Sequence, residues 1–435
     1  MSFDSERRKL RQTAVMLMLI TFFLILPGCR LVYLFRVAAG QFQLLNGAIP
    51  VEDALKLDSL SESLKGQLSL VKKVKAFGET ELGLKETANY GTVNLDPNRG
   101  RIYALSASYK DRLVPVTWWF PVIGSLPYIG FFDLESARGE QRKLLELDLD
   151  TVIGRVEAYS TLGWFKDPLT LNLIENSTVD LVETILHEMT HATFYLKGQG
   201  EFNEGLATLV GKKGAFLFAK ETYGPAHPLT LEAQKSIEDE RVFSSFLCPL
   251  LSDLDQLYDS SLTYQEKLKE REKVFALSLE RFRSLSGKFQ TGRFARFGQG
   301  PLNNAVLVSL AVYHGHYPLF ERALQQSGDS IPTLLRMLRT MSREEKNMMI
   351  VIQEWLEKKE AYHSPGSEAL WKMSSIREKA RMPRSPTLRR SAAAEGGEER
   401  VPTQKGGPSL TGGGEWPKGL FLEKKPREGA RGSSR

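Results

Sequence analysis

His187-Glu188-Met189-Thr190-His191 decides how the rest of this chain is read. Residues four apart share one face of a helix, so His187 and His191 can present two imidazoles to one metal ion. Glu188 follows the first ligand and can reach a metal-bound water. A zinc hydrolase needs this arrangement. The plainer alternative is a buried helix whose histidines bond to backbone carbonyls. The flanks predict a helix in either case. Ser177 or Thr178 caps its start, with Asp180 in the first turn. Leu181, Val182, Ile185, Leu186 and Met189 form an apolar face. Gly198 and Gly200 are expected to end it.

A catalytic zinc usually takes three protein ligands and keeps one position for water. The next segment runs Glu201-Phe202-Asn203-Glu204-Gly205-Leu206-Ala207. Asn203 is a good cap for a second helix, which places Glu204 in the first turn as the third ligand. Glu201 is the rival, in the loop before that cap. Glu183 shares a face with His187 but lies about 12 Å along the helix from His191, too far to join the same ion.

Further out, the chain divides into three parts. Arg7, Arg8, Lys9 and Arg11 precede an apolar run from Thr13 to Leu26, shorter than the roughly 20 residues of a membrane span. Leu26-Pro27-Gly28-Cys29 follows and is similar to a bacterial lipobox. Residues 1–29 are therefore expected to be a lipoprotein signal peptide, with Cys29 lipidated. An uncleaved anchor continuing through Leu31 to Phe35 would have to carry Arg30, a costly charge. Residues 30–365 read as one catalytic unit. Residues 366–435 read as a disordered, basic Gly/Pro/Ser-rich tail.

The charge follows the same division. From Ile376 to Arg435, 14 Lys and Arg stand against 7 Asp and Glu, a net of +7; the whole chain carries +6, so the remainder is at −1. A basic surface for nucleic acid is therefore not expected on the folded part. The tail reads as solvated and able to touch anionic lipid. Beyond Cys29 the one remaining cysteine is Cys248, read as core rather than nucleophile.

Periodicity predicts a helix over 51–75, strands over Leu113–Ile123 and Thr151–Tyr159, and helices over 250–285 and 302–360. The fold class is α+β and mainly helical, with a small mixed sheet, an active-site helix and a helical carboxyl half.

HExxH followed by Asn-Glu-x-x-Ala resembles the gluzincin branch of zinc metallopeptidases. The likeness extends to the bacterial putative-aminopeptidase family of predicted lipoproteins, over roughly residues 29–345. Three further stretches carry it: Trp118-Trp119-Phe120-Pro121-Val122-Ile123-Gly124 running on to Tyr128–Asp133; Ala158-Tyr159-Ser160-Thr161-Leu162-Gly163-Trp164-Phe165-Lys166-Asp167-Pro168; and Leu302-Asn303-Asn304-Ala305 with Tyr313 after it. The chain has Ile129 where an arginine is usual, a change bearing on the substrate pocket. It has Met189-Thr190 for a Leu-Ala pair, which leaves the ligands intact.

The resemblance implies a zincin-like core holding one Zn2+ and a peptide substrate. It also implies a protein exported to the periplasm-facing side of the envelope and attached to the membrane by its lipid. Glu188 is the expected general base. Tyr313, His314 and Tyr159 are candidates to steady the oxyanion, and the family's Asn-Asn-Ala-to-Tyr stretch favours Tyr313. Asn203 and Asp180 are candidates to hold the ligands in place. No Gly-x-Met-Glu-Asn segment for gripping a free amine is present, so aminopeptidase activity comes from the resemblance alone. An envelope endopeptidase, and a non-catalytic binding or assembly lipoprotein keeping the zinc helix, are the alternatives.

Overall fold

The computed structural model of the protein describes residues 28–97, 102–120, 124–156, 166–344 and 346–361. The apolar run before Gly28, the tail from 366 and Tyr159 lie outside them. The first half alternates helices and short strands: α1 (Gly28–Asn46), β1 (Ala48–Pro50), α2 (Val51–Ala54), α3 (Glu62–Thr80), β2 (Thr92–Asn94), β3 (Ile102–Ser108), β4 (Trp118–Phe120), β5 (Gly124–Leu126), β6 (Tyr128–Phe131), α4 (Leu134–Glu146), β7 (Asp150–Val156) and β8 (Leu169–Thr170). The second half is helical: α5 (Leu171–Ile174), α6 (Thr178–Thr193), α7 (Gly200–Tyr223), α8 (Pro228–Tyr258), α9 (Tyr264–Ser284), α10 (Asn304–His314), α11 (Tyr317–Gln326), α12 (Ile331–Met341) and α13 (Met348–Ala361).

This is the expected α+β, mainly helical architecture. The mixed sheet is small: β2 pairs antiparallel with β1 and parallel with β8. A second sheet, β6-β3-β7, is antiparallel throughout, and β4-β5 is a hairpin. Among the described residues no helix is long and apolar enough to cross a membrane.

Several predicted elements are shorter than their patterns suggested, each for a local reason. The helix expected over 51–75 is two helices, because Ser61 caps α3 by accepting from Leu64 N and the chain turns before it. Of the strand expected over Leu113–Ile123, β4 is what forms among the described residues; Pro121–Ile123 lie outside them, and Pro115 ahead of β4 has no N–H to give a ladder. The long helical stretch over 302–360 breaks into four, with Pro318 and Pro332 in the first turns of α11 and α12. Pro249 sits inside α8 without ending it.

The main core joins α3, α6, α7 and α11 to α13, with Leu68, Ile185, Phe202 and Phe320 fully buried. A second, aromatic core forms around Phe243, stacked on Phe294 at 4.1 Å between ring centroids. A third lies on the antiparallel sheet and contains Ile129, buried in β6 opposite Leu105. Ile129 is thus a core residue of this sheet.

Candidate active site

α6 and α7 form a helical hairpin, and the site is built in it. Ser177 caps α6 by accepting from Asp180 N at 3.2 Å. Leu181, Val182, Ile185, Leu186 and Met189 are all buried, so the apolar face was read correctly. α6 ends earlier than expected, at Thr193 with Phe194 as its C-cap, and not at Gly198. Asn203 does not cap α7 either: the helix begins at Gly200, one turn earlier. Its amide instead holds the loop, donating to Leu196 O and accepting from Leu196 N, both at 2.8 Å. This pair of bonds folds the chain back so that the next residue, Glu204, faces α6.

The two helices touch through Gly211. A Cβ there would lie 2.7 Å from Glu183 O and 3.3 Å from His187 Cβ, so any larger residue would push α7 off the histidine face. No local pattern in the sequence marks this glycine.

His187, His191 and Glu204 converge. His187 Nε2 lies 3.0 Å from His191 Nε2 and 3.2 Å from Glu204 Oε2, and His191 Nε2 lies 3.3 Å from Glu204 Oε2. Zinc bonds of about 2.0–2.1 Å in a tetrahedron put ligand atoms about 3.3 Å apart. The triangle therefore fits a zinc-sized ion, with donors a borderline-soft divalent cation takes. This is the one cluster of three or more such side chains among the described residues.

The rivals are engaged elsewhere. Glu201 pairs with His316 at 3.3 Å. Glu183 is buried in an ionic cluster, 2.9 Å from Arg293 and 3.5 Å from Lys212, with Ser236 donating to it at 2.7 Å. Lys212 also meets Glu240 at 3.3 Å.

Electrostatically, the triangle is coupled. Burial disfavours the charged form of His191, but the Glu204 carboxylate outweighs it and lifts the imidazole to about 9. Burial alone would raise Glu204; the two imidazoles hold it well below the usual carboxylate range. Two imidazole nitrogens facing a carboxylate oxygen favour a cation among them, either a proton or a metal.

Around the triangle the expectations divide. Glu188 carries a buried oxygen, Oε2, with no hydrogen-bond partner. Tyr313 is beside the site, its ring centroid 6.3 Å from that of His187. Burial, with Glu204, Tyr128 and Glu188 adding to it, pushes the Tyr313 hydroxyl well above its ordinary range. That keeps it a donor at neutral pH. His314 points elsewhere, to Glu240 at 2.6 Å. Neither Asp180 nor Asn203 bonds to a ligand histidine; Asp180 is held by Arg293 at 2.6 Å. His191 Nδ1 is buried without a hydrogen-bond partner. Cys248 donates to Gly315 O and burial pushes its thiol up, which fits a packing role.

Two tyrosines near the site were not anticipated. Tyr195 lies just past the end of α6, with its ring centroid 6.3 Å from that of His191. Tyr90 has Glu188 as its first charged neighbour and arrives from a distant loop, where no local pattern marks it.

A helical hairpin presenting His-x3-His and a glutamate from the next helix defines a class of candidate metallohydrolase. The chain belongs to a particular family within reach of that class: the family described as putative aminopeptidase matches residues 32–349, most of the chain. Membership makes the protein a peptidase whose substrates are peptides. No curated protein and no solved structure matches the chain.

Proposed function

We propose that the protein is a zinc-dependent aminopeptidase, exported and held at the envelope membrane by a lipid on Cys29. The triangle of His187, His191 and Glu204, with edges suited to tetrahedral zinc, carries the catalytic part of this reading. Zinc held by His187, His191 and Glu204 would supply a Lewis acid for the peptide carbonyl and would lower the pKa of a water toward about 7.

The chain's own groups do the rest. The Glu188 carboxylate accepts a proton as the water attacks and returns it to the leaving amine. Tyr313, kept protonated by burial beside two carboxylates, donates to the carbonyl oxygen as charge builds on it. Family membership supports the aminopeptidase assignment. The basic start, the short apolar run and Gly28-Cys29 support the lipid anchor. In this reading residues 30–365 are the catalytic unit and the tail from 366 is solvated and dispensable for turnover.

The test compares zinc content and peptide cleavage in wild type, Glu188→Gln and Glu204→Ala. Glu188→Gln is expected to keep its zinc and lose activity by roughly 100-fold or more, the range of a lost general base. Glu204→Ala is expected to lose both. A Glu188→Gln protein turning over at wild-type rate would sink the mechanism. Peptides with free and acetylated amino termini separate exo- from endopeptidase, since only the former should require the free amine. Mass spectrometry of the mature amino terminus checks the anchor: an unlipidated chain still beginning at Met1 would rule it out.

A further inference from the structure

Tyr313 stands on a helix whose middle does little to fix its rotation. From Ala305 to Val312, α10 is apolar all round save for Ser309, and Ser309 turns its hydroxyl back on Ala305 O at 2.8 Å. Apolar burial is non-directional, so it holds such a helix in place without choosing which way it faces. The choice matters at the site. A tyrosine hydroxyl stands about 8 Å from its helix axis, so a turn of α10 by about 10° moves it by more than about 1 Å. A misplacement of about 1 Å can cost about 100-fold in rate.

Directional bonds are made at the two ends of α10. At its start, Tyr258 donates to Asn304 Oδ1 at 2.8 Å, and Asn304 N donates to Asp150 at 2.9 Å. At its end, His314 Nδ1 lies 2.6 Å from Glu240 Oε1. The carboxylate can only accept, so the imidazole donates from Nδ1. The imidazole is also held in plane: Phe243 and Phe294 meet it edge-on, with centroids at 5.2 and 5.5 Å. Glu240 in turn is fully buried and pairs at 3.3 Å with Lys212 of α7, which lies 3.5 Å from Glu183 of α6. Glu183 is one turn before His187. One buried ionic chain thus runs from the two helices carrying His187, His191 and Glu204 to the last residue of the helix carrying Tyr313. Tyr313 immediately precedes His314, and its ring lies 6.3 Å from that of His187 with the planes 32° apart.

We infer that Glu240 and His314 are a positioning pair for Tyr313: the bond between them sets the rotation of α10, and with it the place of the Tyr313 hydroxyl relative to α6 and α7. For its effect on rate the inference rests on the peptidase reading above, in which Tyr313 donates to the carbonyl oxygen. It makes a buried imidazole–carboxylate pair, which takes no part in bond making, a condition for preorganised stabilisation of the transition state.

The test uses the full zinc-loaded chain and compares wild type with His314→Leu, His314→Asn, Tyr313→Phe, His314→Leu combined with Tyr313→Phe, and Tyr258→Phe. His314→Leu removes the donor. His314→Asn keeps an N–H as many bonds from the backbone as Nδ1. His314→Gln, whose amide sits one bond further out, serves if His314→Leu does not fold. Tyr258→Phe is the control, since it loosens the opposite end of α10. Tyr313→Phe is expected to lower kcat roughly 100- to 1,000-fold, the usual effect of removing an oxyanion donor. His314→Leu should lower kcat roughly 10- to 100-fold, with KM within about twofold and zinc retained. His314→Asn should recover most of that loss. In the Tyr313→Phe background, His314→Leu should cost no more than about twofold further, since a residue acting through Tyr313 then has nothing to act on. Tyr258→Phe should lower the melting temperature and leave kcat at wild-type level. A second readout does not depend on turnover. The ring resonance of Tyr313 in tyrosine-labelled protein, identified by its loss in Tyr313→Phe, should shift in His314→Leu and stay in place in Tyr258→Phe.

An equal fractional loss of kcat from His314→Leu with and without Tyr313 would overturn the inference while leaving the peptidase reading standing. So would an unmoved Tyr313 resonance in His314→Leu, or a Tyr313→Phe protein turning over at wild-type rate. A wild-type protein that cleaves no peptide would overturn the peptidase reading, and the resonance would still decide whether the pair places Tyr313.

Discussion

Two charged clusters are buried between α6 and α7, one turn apart, and they are built oppositely. At one, His187, His191 and Glu204 face each other with no lysine or arginine among them. At the other, Glu183 and Glu240 are answered by Lys212 and Arg293, and Asp180 shares that arginine. Glu183 and His187 are successive positions on one face of α6. The difference teaches how to tell a structural carboxylate from a ligand: the first brings its own cation in the sequence, and the second leaves room for one from solution.

Removing the internal cation should break the contrast most sharply. Lys212→Met leaves Glu183 and Glu240 buried with one cation fewer, and breaking a buried pair costs about 3–5 kcal/mol. Denaturant unfolding of the metal-free protein should register this, while the triangle's zinc content per folded chain stays at wild-type level. A stability within about 0.5 kcal/mol of wild type would mean the cluster is not a structural unit.

The His187, His191 and Glu204 triangle predicts the converse. Zinc at about a thousandfold excess over Kd should raise stability by about 4 kcal/mol, if the unfolded chain does not bind it. His191→Ala should remove that gain. Thermal unfolding with and without chelator measures both, and an equal shift in wild type and His191→Ala would show that the metal binds elsewhere.

Acid should reach both clusters, and a variant isolates the ionic one. Burial alone would raise Glu240, but His314, Lys212 and Arg293 bring it down to about 2. A carboxylate whose folded pKa is depressed contributes stability that is complete above its unfolded value, 4.5, and disappears as pH falls through about 2. The order of the effect is about 3 kcal/mol. The urea midpoint of the metal-free protein should decline across that window, and Glu240→Gln should flatten the decline. An unchanged slope in the variant would assign the acid loss to other groups.

The smallest expected effect tests the surface the clusters share. Gly211→Ala inserts a methyl group 2.7 Å from Glu183 O and should cost about 1–3 kcal/mol through overpacking. Because the same methyl would press on His187 Cβ at 3.3 Å, zinc affinity should fall together with stability. Loss of stability alone, by titration calorimetry of the folded variant, would show that α6 and α7 move as one body.

What the sequence made legible was what helix periodicity fixes. The i,i+4 histidines and the apolar face follow from 3.6 residues per turn, and both were placed correctly. Glu204 was reached through a wrong intermediate: Asn203 secures the loop and does not cap the helix. Either role turns α7 toward the histidines, which is why Glu204 still meets them. The ionic cluster was invisible because Arg293 meets Asp180 across 113 residues. Tyr90 was hidden for the same reason, its loop being clamped from Lys75 and Asp167. The helix breaks in the carboxyl half were missed because prolines in first turns look the same, in a periodicity count, as prolines within a helix.

The hairpin also orders events in time. Only 17 residues separate His187 from Glu204, and the loop between α6 and α7 closes on itself through Asn203 and Leu196. Contacts this local form early, whereas the charge cluster waits for a segment more than a hundred residues further along the chain. If the triangle takes zinc as proposed, a nascent chain could trap its ion before the fold that encloses it is complete, and the ion would then act as a nucleus for folding as well as a reagent. Refolding in zinc should be faster than refolding in chelator, and the Glu183–Lys212–Arg293 lock should be the last part to close.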